Sequence, residues 1–131
     1  MASRIHPLTG ETLRRDTRPM TVRVGPFSEA VLVGGWYPEG EGDAIHTGAD
    51  LAELEKAWDR LRGSYAVHLR ASRKRWRLTQ EQAGKLIGGG KRAFQKYETG
   101  KALPTEAAVG LIELLNADTE NLERLRRIRA A

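Results

Sequence analysis

Cysteine is absent from the 131 residues. Its absence excludes disulfides and every thiolate-held metal site, and it suits a reducing compartment, so a cytoplasmic location is expected. No run of about 18 apolar residues occurs, so no membrane span is expected. The opening segment MASRIHPLTG has no apolar stretch after its first arginine, and no secretory signal is read there. Catalytic groupings are missing as well. No Ser–His–Asp set, paired-acid motif or metal triad stands out, and His68 in a basic stretch reads as a surface or packing residue. The acidic neighbours Asp43, Asp50, Glu53 and Glu55 read as loop charge and a solvated helix face. No enzyme and no cofactor are expected.

Acidic residues are scarce in one half only. Residues 1–63 carry 8 Lys/Arg against 10 Asp/Glu, a balance of −2, whereas residues 64–131 carry 14 against 7, or +7. Residues 67–101 hold 10 Lys/Arg against Glu81 and Glu98 alone. A basic half is an electrostatic footprint for nucleic acid, although a solvated helical surface has the same composition.

The break between the halves is placed at Gly63-Ser64. Before it, Met20–Val24 (MTVRV) alternates apolar and polar residues and Ala30–Val33 (AVLV) is a short apolar run, so both read as strands. Gly25-Pro26 reads as the turn between them. A third strand is expected over Leu13–Arg18, with Gly35-Trp36-Tyr37 extending the second. Thr47 opens a helix, with Asp50 near its start and Leu51, Leu54, Trp58 and Leu61 at helical spacing. Gly63 reads as its C-cap and Ser64 as the N-cap of a new helix, Ser64–Trp76. Thr79 caps a short helix over Gln80–Ile87, and Gln82 completes a capping box. Further helices are expected over Lys91–Thr99, Thr105–Asn116 and Thr119–Arg129. The fold class is therefore α+β: a small β-rich unit with one helix (1–63), then an all-α five-helix domain (64–131).

Three consecutive glycines, Gly88-Gly89-Gly90, separate two of these helices. A nucleotide phosphate loop would need a buried strand before it and a Ser or Thr after its lysine. Here a capped helix precedes the glycines and Lys91-Arg92 follows. A helix-turn-helix fits better. Ala83 is small enough for close helix packing, and the glycines permit a sharp turn. The following helix then divides its surface. Ala93, Phe94 and Tyr97 face inward, while Arg92, Gln95, Lys96 and Thr99 form a polar face suited to the major groove.

The run GGGKRAFQKYETGKALP resembles the pattern G-G-G-x-x-A-F-x-x-Y-E-x-G-x-x-x-P of MqsA-type antitoxins. RKRWRLTQEQA resembles that family's R-x-x-x-x-L-T-Q-x-x-A segment, and the likeness continues through LLNADTENLERLRRIR. The resemblance implies a Cro/repressor-type (Xre) helix-turn-helix with its recognition helix over Lys91–Thr99. Its base-contacting positions fall on Arg92 and Lys96, where Asn and Arg are commoner in the family, so a different operator is implied. The expected DNA-binding set is Thr79, Gln80, Gly90, Lys91, Arg92, Gln95, Lys96, Tyr97 and Lys101. Arg73, Arg75 and Lys101 are expected at phosphates.

The N-terminal half is similar to the family's zinc unit, with its ligands replaced. The family's C-P-x-C-G and Y-C-x-x-C-x-x-x-I segments stand here as His6-Pro7-Leu8-Thr9-Gly10 and Tyr37-Pro38-Glu39-Gly40-Glu41, followed by Ile45. The four ligand positions read His6, Thr9, Pro38 and Glu41, with His46 nearby. A degenerate zinc-ribbon-like fold held by packing, without metal, is expected. The resemblance implies a dimeric repressor of its own operon that binds a palindromic operator. Separately, Leu122, Leu125 and Ile128 recur at three-residue steps on the last helix, an apolar stripe that reads as the dimer contact or as packing against Val109 and Ile112 of the same chain. The alternative is an antitoxin acting mainly by neutralising a toxin through its N-terminal half.

Overall fold

The computed structural model describes residues 2–130, and among them it holds three strands followed by five helices. The strands are β1 (Ser3–Ile5), β2 (Thr12–Val24) and β3 (Phe27–Pro38). The helices are α1 (Ala52–Arg75), α2 (Gln80–Ile87), α3 (Ala93–Glu98), α4 (Glu106–Ala117) and α5 (Glu120–Ala130). The α+β order is as expected. By packing the chain divides into two units, Met1–Arg23 with Ser28–Arg60, and Val24–Phe27 with Leu61–Ala131.

In the first unit the sheet order is β1-β2-β3, and β1 runs antiparallel to β2 with Arg4 opposite Leu13. The two strands expected over Leu13–Arg18 and Met20–Val24 are one continuous strand through Pro19. β1 reaches only from Thr12 to Arg14, so β2 has an open edge beyond that point, and an open edge tolerates a residue without an N–H. Leu13, Val22, Val33 and Tyr37 are buried, and the Tyr37 hydroxyl donates to the Val33 carbonyl at 2.6 Å. Thr47 and Asp50 exchange backbone-to-side-chain hydrogen bonds of 2.9 and 3.2 Å, the reciprocal pattern of a capping box. Arg15 grips the same Asp50 carboxylate with both guanidinium nitrogens, at 2.7 and 3.0 Å. That grip holds the Asp50 carboxyl well below the usual carboxylate range.

The expected helix break at Gly63-Ser64 is not there, because α1 runs straight through both residues. Ala57, Leu61, Tyr65, Leu69 and Ser72 are buried at helical steps, and this stripe stays in register across Gly63, which lies on the exposed side. A mid-helix glycine costs roughly 1 kcal/mol relative to alanine, less than the stripe gains by burial. The stripe also passes through Ala57 rather than Trp58, which is 38% exposed.

In the second unit α1 and α4 are joined by polar contacts. The buried Ser72 hydroxyl donates to the His68 carbonyl at 2.8 Å and accepts from Asn116 at 2.9 Å. His68 Nε2 lies 2.9 Å from a Glu113 carboxylate oxygen. Phe94, Ile112 and Leu115 complete the core with Tyr65 and Leu69. Leu122 and Leu125 of α5 are buried within the same chain, so only Ile128 of the expected dimer stripe remains exposed. A lone helix face reads the same in sequence whether its own chain or a second copy covers it.

Candidate nucleic-acid interface

The α2–turn–α3 segment is built from local signals upward. Thr79 caps α2: its hydroxyl accepts from the Gln82 N–H at 3.1 Å, and the Gln82 side chain accepts from the Thr79 N–H at 2.9 Å. Gln80 follows in the first turn. α2 then buries Ala83, Gly84, Leu86 and Ile87. The residue that lets the turn approach is Gly84 rather than Ala83. A Cβ on Gly84 would lie 2.0 Å from the Gly90 carbonyl oxygen, a contact that a side chain cannot make. Gly88, Gly89 and Gly90 take φ values of 122°, 91° and 94°, a region L side chains rarely adopt. The triple glycine is thus a backbone requirement at three successive positions.

α3 is shorter than the expected Lys91–Thr99. Lys91 and Arg92 belong to the turn, and Arg92 is the N-cap residue. At the other end the Thr99 hydroxyl donates back to the Gln95 and Lys96 carbonyls at 2.9 and 3.2 Å. Thr99 therefore terminates the helix instead of extending its polar face. Ala93 and Phe94 are buried and Tyr97 is half-buried, packed edge-on to Phe94 at 5.5 Å between ring centroids. Burial raises the Tyr97 phenol pKa. Arg92, Gln95 and Lys96 are exposed, and so are Gly90, Lys91 and Lys101 beside them.

Arg73 anchors α3 from beneath. Its Nε and Nη2 donate to the two Glu98 oxygens at 2.8 and 2.9 Å, and its Nη1 donates to the Leu78 carbonyl at 3.0 Å. The Glu98 side chain is buried at 4% exposure and that of Arg73 is largely shielded at 13%, and Glu98 raises the guanidinium pKa further. Arg73 is thus committed to holding α3, which overturns its reading as a phosphate contact. Arg75 donates to Asn116 but stays exposed. Sequence reasoning missed the Arg73–Glu98 pair. Its only trace was that Glu98 is one of two acids in a strongly basic stretch.

Pairing removes Glu98 from the outer surface. The remaining acid near it, Glu81, lies 3.3 Å from Lys85 and 3.9 Å from Lys91. The exposed face therefore offers cations and one amide, with no nucleophile–base pair.

A family model described as "Antitoxin component of bacterial toxin-antitoxin system, MqsA" matches residues 33–126, well over half of the chain. The chain belongs to the MqsA antitoxin family. The match runs from late β3 into α5 and contains the whole α2–turn–α3 segment. "Antitoxin MqsA" of Escherichia coli (strain K12) is 39% identical over 54 residues, which is 41% of each chain, so the alignment covers under half of that relative.

The four positions that resemble the family's zinc ligands do not fit a metal. Pro38 has no side-chain donor. The Thr9 hydroxyl accepts from the Glu11 N–H at 3.3 Å, and His6 Nδ1 accepts two backbone N–H groups. His46 Nδ1 donates to the Gly34 carbonyl at 2.8 Å. Among the described residues, no group of three His, Asp or Glu side chains could hold an ion.

Proposed function

We propose that this chain is the antitoxin of a toxin–antitoxin pair and a cytoplasmic, sequence-specific DNA-binding repressor of its own operon. The observation that carries the reading is the divided surface of α3. Ala93 and Phe94 are buried, the Arg73–Glu98 pair fixes the helix from below, and Arg92, Gln95 and Lys96 point into solvent. Six residues of helix are about 9 Å long, which fits a major groove about 12 Å wide. In this helix-turn-helix, Arg92 and Lys96 donate to guanine acceptors and Gln95 pairs with adenine. Thr79, Gln80, Gly90, Lys91, Tyr97 and Lys101 border the groove and contact phosphates.

Two copies acting together would place their α3 helices on half-sites about 34 Å apart, as a palindromic operator requires. With Leu122 and Leu125 buried in the chain, the large apolar side chains left exposed on α4 and α5 for such a contact are Leu114 and Ile128.

Toxin neutralisation is assigned to the first unit on a separate observation. β3 lies at the edge of its sheet; Ile45 pairs with Trp36 there, but the stretch before Gly34 exposes Leu32, and an open edge segment is a ready partner for another chain. No catalytic step is assigned to the protein.

The DNA-binding reading is tested by titrating the full chain against duplex DNA from immediately upstream of its own gene and against a scrambled duplex, at several salt concentrations. Tighter binding to the upstream duplex, weakening steeply as salt rises, is expected. Equal and negligible binding to both duplexes would remove the repressor role and leave neutralisation.

A further inference from the structure

Two tight turns close the first unit, and each is tied by one buried or half-buried basic side chain. The first runs from His6 to Glu11. The His6 N–H donates to the Glu11 carbonyl, and the Gly10 N–H to the His6 carbonyl, both at 2.9 Å. The N–H groups of Leu8 and Thr9 converge on His6 Nδ1 at 3.0 and 3.3 Å, and His6 is only 6% exposed. The second turn follows β3. Arg18 donates through Nη2 to the Pro38 carbonyl at 2.7 Å and through Nη1 to the Gly40 carbonyl at 2.8 Å. The guanidinium lies 4.5 Å from the centre of the Tyr37 ring.

We propose that the His6 imidazole and the Arg18 guanidinium do the work of a structural metal in this chain, so that the first unit holds its shape independently of metal supply and of thiol oxidants. Two amides at i+2 and i+3 aimed at one side-chain atom of residue i need an acceptor, and a metal-bound thiolate would serve. Here an imidazole nitrogen serves. Its lone pair receives both hydrogens, so Nδ1 carries no proton and coordinates no ion, and the ring proton sits on Nε2. At the second turn a permanent cation meets two carbonyl oxygens through charge-assisted hydrogen bonds, and its planar fork holds both at once. Neither device needs cysteine, and the chain has none. The consequence is regulatory: metal chelation and thiol oxidation leave the unit unaffected. The inference concerns the first unit alone and stands or falls independently of DNA binding.

The full chain is purified without added metal. Elemental analysis should find no stoichiometric zinc, and a strong chelator should leave the melting temperature unchanged. His6→Ala should lower it by roughly 4 °C or more, through loss of the acceptor for two amides. His6→Asn should recover most of the loss, because an asparagine oxygen can accept the same amides in an Asx turn. Arg18→Lys should lower it too, since lysine lacks the planar fork whose two nitrogens each hold one carbonyl. On the parent protein, long-range proton–nitrogen NMR should find His6 as the Nε2–H tautomer, a readout that holds even if a variant fails to fold. Stoichiometric zinc whose removal lowers the melting temperature would overturn the proposal. So would an Nδ1–H tautomer, or a His6→Ala protein as stable as the parent.

Discussion

Gly84→Ala and Gly63→Ala make the same chemical change in two helices and should move stability in opposite directions. At Gly84 the new methyl would sit 2.0 Å from the Gly90 carbonyl oxygen, and Cβ contacts under 3.0 Å are essentially never made. The turn must therefore retreat by roughly 1 Å or more, against backbone fixed by three positive-φ glycines. Overpacking of this kind costs about 1–3 kcal/mol, with a backbone obstacle at the upper end, while alanine returns about 1 kcal/mol of helix propensity. The net expectation is a loss of about 2 kcal/mol, or roughly 8 °C in melting temperature. At Gly63 an added Cβ meets nothing within 4 Å, so the same substitution should gain up to about 1 kcal/mol. Thermal melts of the two variants beside the parent, followed by circular dichroism, measure both signs. A Gly84→Ala protein as stable as the parent would refute the close approach of α2 to the turn, and with it the placement of α3.

Glu98→Ala leaves the Arg73 guanidinium buried without its carboxylate and should cost about 3 kcal/mol in urea unfolding, with weaker DNA binding because α3 loses its anchor. A loss under about 1 kcal/mol would show that water reaches Arg73 freely. Tyr65 is fully buried with an unpartnered hydroxyl, and burial pushes its phenol up to about 12. The unfolded phenol ionises near 10, so stability should be intact below pH 10 and fall by about 2–3 kcal/mol as pH rises towards 12. Tyr65→Phe should remove this part of the alkaline loss and gain about 1 kcal/mol at neutral pH, measured by urea melts across that range. An unchanged alkaline slope would assign the loss to other groups.

What could be read in advance was local. Thr79 and Gln82 spell a capping box three residues apart, Gly25-Pro26 separates two strands, and the alternation of Ala93 and Phe94 with Gln95 and Lys96 divides α3. What could not be read depends on partners distant in the chain. Gly63-Ser64 has the chemistry of a cap and an N-terminus, but burial of Leu61 and Tyr65 on one stripe outweighs it. Arg73 resembles any exposed arginine until Glu98, 25 residues on, meets it. Ala83 and Gly84 are both small, and only the path of the turn decides which must lack a side chain. β1, three residues with no alternation to detect, was not anticipated. The emptied zinc positions were legible as missing ligands, whereas the roles of His6 and Arg18 required their backbone partners.

The proposed division of labour, in which α3 reads bases while its flanks hold phosphates, is tested most directly by titrating Arg92→Ala and Lys101→Ala against upstream and scrambled duplexes at several salt concentrations. Both side chains are exposed, so neither substitution should disturb the fold. Arg92→Ala should cost about 1–3 kcal/mol on the upstream duplex and relax preference at one or two base pairs. Lys101→Ala should weaken both duplexes alike and reduce the salt slope by about one unit. If Arg92→Ala weakens the two duplexes equally, Arg92 is a phosphate clamp and the outward face of α3 does not read sequence.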